Sequence, residues 1–73
     1  MWDEMRLSGS FCWTNPEFPG YEIEKHDDEA LYHVWSPVGP IGNRPKFKEA
    51  EEMVIRDRSA VASATQIDLK AGS

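Results

Sequence analysis

The chain has 73 residues, 40% apolar and 29% charged, with thirteen acidic against eight basic side chains, a net charge of −5 and a pI near 4.8. That length admits one domain, and the composition excludes full disorder, bulk attraction to phosphate backbones or anionic membranes, and a disulfide-stapled fold, since Cys12 is the single cysteine. Met1–Arg6 lacks the basic start and apolar run of a secretion signal, and no stretch nears ~18 consecutive apolar residues, so a cytoplasmic setting with no membrane contact is expected.

Residues 1–20 hold Trp2, Phe11, Trp13 and Phe18 among polar and turn-forming residues, interrupted by Gly9, Pro16, Pro19 and Gly20. They read as an aromatic-containing N-terminal arm or a first strand. In a strand, Phe11 and Trp13 share one face, and Cys12 and Thr14 the other. The aromatic rings then either cap the core or face a partner.

Residues 21–62 read as a sheet-plus-helix core. Tyr21 and Ile23 alternate with Glu22 and Glu24. After the polar run Lys25 to Glu29, the segment Ala30 to Trp35 resumes a β-rich composition. Two antiparallel strands follow, the second with Leu31, His33 and Trp35 on one face and Tyr32 and Val34 on the other. Ser36-Pro37-Val38-Gly39-Pro40 is a turn, because proline presets its dihedral and glycine accepts positive φ. Ile41 to Arg44 is a short third strand before Pro45. From about Lys48 the period changes: Ala50, Met53, Val54, Asp57 and Val61 lie near one helical stripe, with Glu51, Glu52, Arg56 and Arg58 largely away from it. Residues 63–73 read as a small-residue, polar C-terminal tail, with Ile67 and Leu69 as an alternative edge strand. The expected fold is α+β: a small antiparallel sheet of two to three strands, or four, with one amphipathic helix packed on it.

The segment Tyr32-x-Val34-x-Ser36-Pro37-x-Gly39, followed by Phe47 and the helix, resembles the strand-turn-strand-helix order of the methyl-CpG-binding family. The likeness is topological and covers this part of the chain alone. It implies a DNA-reading sheet, but that family presents basic residues there, whereas this chain carries Glu22, Glu24, Asp27, Asp28 and Glu29.

No phosphate loop, metal signature or catalytic motif is present. His26-Asp27-Asp28 and His33 lack the converging spacing of a transition-metal site. Cys12 and His33 as a thiolate–imidazole pair lack a third orienting residue and an oxyanion loop. No catalytic residue, metal or cofactor is expected. The acidic residues instead suit a non-catalytic protein-binding module, a small inhibitor or regulator of the kind phages and mobile elements encode, that occupies a basic surface of another protein. Its anchors would be Tyr21, Tyr32 and Trp35, with Glu22, Glu24, Asp27, Asp28 and Glu29 as the charged rim. The alternative is a nucleic-acid-binding regulator using Arg44, Lys46 and Lys48, spaced two apart beside the third strand, with Arg56 and Arg58 on the helix. A domain below ~80 residues rarely gains more than about 3–5 kcal/mol from one core, so a homodimer through an edge strand or the aromatic arm is a further expectation.

Overall fold

The computed structural model describes residues 1–72, with side chains described for residues 1–61. The chain folds as an antiparallel meander of five strands followed by one helix. The strands are β1 (Asp3–Leu7), β2 (Ser10–Thr14), β3 (Glu22–His26), β4 (Tyr32–Ser36) and β5 (Gly39–Arg44), side by side in chain order, and the helix is α1 (Phe47–Gly72). The α+β class is as expected. The strand number exceeds the two to four anticipated, because residues 1–20 supply a complete β1–β2 hairpin.

The hairpin turn falls at Ser8 and Gly9, where Gly9 takes a φ of 83°. Glycine adopts that conformation without a Cβ penalty. The β4–β5 turn at Pro37 and Val38 lies where the sequence placed it, between the paired Ser36 and Gly39. The Ser36 hydroxyl braces it, donating to the Gly39 carbonyl at 2.9 Å and accepting from the Val38 amide at 3.2 Å. The third predicted strand begins at Gly39 rather than Ile41, and a bulge opposite Val34 and Trp35 accommodates the extra residue.

Cross-strand register assigns each residue to a face, since directly paired residues point the same way. Trp13, Ile23 and Val34 are paired in a row, and so are Phe11, Lys25 and Tyr32. Helix α1 lies over this side, where Ala50 and Val54 close on Tyr21, Ile23 and Val34. Trp2, Trp13 and Tyr32 surround Phe47 at the start of the helix, with ring centroids 6.0, 5.2 and 5.8 Å away. Such ring pairs contribute about 0.5–1.5 kcal/mol each beyond their buried area. The N-terminal aromatics Trp2, Trp13 and Phe18 therefore pack against the core.

Polar contacts fix the helix along its flanks. The Trp2 indole N–H donates to Glu51 at 2.7 Å, the Tyr21 hydroxyl donates to Asp57 at 2.6 Å, and Arg58 donates to the Glu17 carbonyl at 2.9 Å. The predicted stripe is correct at Ala50, Met53, Val54 and Asp57, while Val61 is exposed. The helix continues through residues 63–72, where a tail or an edge strand at Ile67 and Leu69 was expected. The run Ala60-Val61-Ala62-Ser63-Ala64 contains no glycine or proline to stop it. At 26 residues the helix is about 39 Å long, more than twice the ~17 Å of a five-residue strand.

Candidate functional site

The opposite side of the sheet has no helix over it. Register places Asp3, Met5 and Leu7 of β1 on this side, then Ser10, Cys12 and Thr14 of β2, then Glu22, Glu24 and His26 of β3, then His33 and Trp35 of β4. Neither lysine nor arginine occurs among these strand residues. Three apolar side chains stand out from the face: Met5 is 61% exposed, Leu7 41% and Trp35 40%. Glu22 is the direct cross-strand neighbour of Trp35, and Glu24 that of His33.

Beneath these carboxylates Cys12 is 8% exposed and donates its S–H to Glu22 Oε1 at 3.0 Å. Burial first, then the Glu22 hydrogen bond and the negative charges of Glu22 and Glu24, push the thiol up to about 12. Withdrawal from water and neighbouring anions both disfavour a thiolate. Cys12 is thus held protonated at neutral pH and is a poor nucleophile. His33 turns to Glu29, with Nε2 at 3.2 Å from both carboxylate oxygens, and not to Cys12. His26 Nε2 lies 3.4 Å from Glu24, and the two imidazole rings meet edge to face at 6.0 Å. Among the described residues, no three His, Cys, Asp or Glu side chains form a group able to hold a metal ion.

The eight residues expected to bind a partner are not presented together. Glu22, Glu24 and Trp35 share the open face. Tyr21 lies in the core, 4% exposed and bonded to Asp57, so its ring is not displayed at the surface. Burial, followed by that bond, raises its phenol to about 12. Tyr32 lies on the helix side against Trp13 and Phe47. Asp27 is held at the rim by Arg6, whose guanidinium makes paired bonds of 2.7 and 2.6 Å to it and keeps its carboxyl below the usual carboxylate range. Arg6 also sits over the Phe11 ring, 4.4 Å from its centroid. Asp28 is exposed in the β3–β4 turn, and Glu29 is committed to His33.

The basic candidates lie elsewhere. Arg44, Lys46 and Lys48 are exposed at the end of β5 and the start of α1, with Arg44 donating to the Asn43 carbonyl at 2.6 Å. A cleft of about 420 Å³ between β5 and α1 takes in Arg44 and Arg56, but Glu49, Glu52 and Asp57 line it as well. Carboxylates in that cleft oppose a phosphate. Sequence reasoning missed Met5 and Leu7, whose alternation with Glu4 and Arg6 before a Ser8-Gly9 pair is a hairpin signal.

No protein-family model matches the chain, and neither a curated protein nor a solved structure is significantly similar to it. No helix among the described residues is long and apolar enough to cross a membrane.

Proposed function

We propose that the protein is a non-catalytic protein-binding module, an inhibitor or regulator that sets its open sheet face against a basic surface of a partner protein. The observation that carries this reading is the face itself. Glu22 and Glu24 stand beside the exposed Trp35, with Asp3 at the β1 edge and no lysine or arginine among the strand residues of that side. An exposed indole supplies contact area at low entropic cost, and surrounding carboxylates select partners by charge and speed encounter. Met5 and Leu7 extend the apolar part of the surface. Asp27 and Glu29 lie in the β3–β4 connection, off the strands that build the face, so the contact falls to Glu22, Glu24 and Trp35.

The test is affinity capture from the native host's lysate with nuclease present, comparing the natural chain with a Glu22→Lys, Glu24→Lys variant whose fold is checked by circular dichroism. One nuclease-resistant partner, captured less as salt rises and lost with the variant, supports the reading. Capture unaffected by the variant overturns it. Capture that vanishes with nuclease and depends on Arg44, Lys46 and Lys48 replaces it with nucleic-acid binding.

A further inference from the structure

The sheet has two edges, and they differ. On β5, Pro40 has no amide to donate and the bulge facing Val34 and Trp35 distorts the strand, two devices that discourage further pairing. On β1 neither occurs: Asp3–Leu7 contains no proline, pairs with β2 in unbroken register, and is exposed at all five positions. Charged side chains commonly shield such an edge, but here the two that flank Met5 are of opposite sign and lean over the neighbouring strands, so they neither cover the edge nor repel a reversed copy of it. Glu4 accepts the Trp13 indole N–H at 3.2 Å, and Arg6 reaches back over Phe11 to Asp27.

We propose that β1 pairs antiparallel with β1 of a second copy of this chain, about a two-fold axis through Met5, joining two five-stranded sheets into one. The charges along β1 select this occupant and this register. A two-fold axis normal to the sheet through Met5 sets Glu4 opposite the second copy's Arg6, Asp3 opposite its Leu7, and Met5 opposite its Met5, using the whole strand. Shifting the axis to Glu4 opposes two carboxylates, and shifting it to Arg6 opposes two guanidinium groups and shortens the overlap. Unlike charges directly across strands stabilise pairing and like charges oppose it. The axis keeps both helices on one side of the joined sheet. Both open faces then lie on the other, with paired Met5 side chains at the centre.

Sedimentation equilibrium of the full chain should give twice the 8.3 kDa monomer mass. Met5→Lys opposes two ammonium groups at the axis and should weaken association about tenfold or more. Met5 is 61% exposed, so the monomer's circular dichroism should be retained. Register is tested by Met5→Cys in a Cys12→Ser background, because Cys12 is the cross-strand neighbour of Met5 and would compete for the new thiol. Directly paired antiparallel residues have Cα atoms ~4.5–5.5 Å apart, within the ~4.4–6.8 Å that a disulfide spans, so oxidation should link two chains. Leu7→Cys in the same background should link them far less, since the second copy's Asp3 faces it. A natural chain that stays monomeric at its highest soluble concentration, or equal linking from positions 5 and 7, overturns the proposal.

Discussion

Alkylation of Cys12 reads out the carboxylate cluster of the open face without any partner. The thiol is pushed from its ordinary 9.0 to about 12, by burial first and then by Glu22 and Glu24. The thiolate is the reacting species, so at pH 8 its fraction drops from about one in ten to about one in ten thousand. Iodoacetamide should therefore modify the native chain roughly a thousandfold more slowly than the urea-unfolded chain. Glu22→Gln keeps an acceptor of the same length but removes the charge 3.0 Å from Sγ. The native rate should then rise, though by far less than a thousandfold, because burial is the leading cause and remains. Mass spectrometry of timed, quenched samples gives both rates. A native rate within tenfold of the unfolded one, or no response to Glu22→Gln, would refute this arrangement of Cys12 beneath the carboxylates.

Ile23 is fully buried between the sheet and α1, so Ile23→Ala should cost about 2–5 kcal/mol in urea unfolding. A loss under about 1 kcal/mol would remove Ile23 from the centre of the core. Gly20 has a φ of 86°, and an added Cβ would lie 2.6 Å from Pro37 Cγ. Gly20→Ala should cost about 1–2 kcal/mol for the left-handed backbone alone and more for the Pro37 clash, lowering Tm by about 4–8 °C per kcal/mol, and an unchanged Tm would deny both the backbone conformation and the close approach. The native Cys12 thiol and Tyr21 phenol each hold their proton up to about pH 12, above their ordinary 9.0 and 10.0. The unfolded chain releases those protons first, so their contribution to stability is full below pH 9 and is lost as pH rises toward 12. Urea midpoints measured across that window should fall, and Tyr21→Phe should flatten the part above pH 10; a level profile for the natural chain contradicts both shifts.

Local chemistry made part of this fold legible. Alternation assigned Glu22 and Glu24 to one side and Ile23 to the other, Ser36-Pro37-Val38-Gly39 marked its own turn, and the apolar stripe of α1 was visible at Ala50 and Val54. The β1 strand was missed, because its alternation is only Met5 and Leu7 against Glu4 and Arg6, a short signal on a strand that stays exposed at every position. Tyr21 shows a different limit. Its period-two position gave its face, but its burial is completed by a helix residue 36 positions away whose carboxylate accepts a hydrogen bond from its hydroxyl. Asp27 is similar, since Arg6 is 21 positions distant and neutralises it through the hairpin. Within the candidate site, strand pairing alone was enough to unite Glu22, Glu24 and Trp35. Contacts distant in sequence removed Tyr21 and occupied Asp27.

Segregation of charge is what separates the two binding readings. Arg6 and Lys25 sit on the helix side of the sheet, while Arg44, Lys46 and Lys48 sit at the β5–α1 corner. The open face keeps its carboxylates without a lysine or arginine among its strand residues, so its field is not cancelled locally. Screening at physiological salt acts over about 8 Å, and the face should attract a basic surface that approaches it directly while remaining insensitive to cations on the far side of the sheet. Association through the open face should accordingly slow with added salt and respond to Glu22 and Glu24. Association through the corner should also weaken with salt, but respond to Arg44, Lys46 and Lys48. Salt dependence by itself cannot distinguish these surfaces. Salt dependence measured in the two sets of charge variants does, because each set removes the slope of one reading and leaves the other intact.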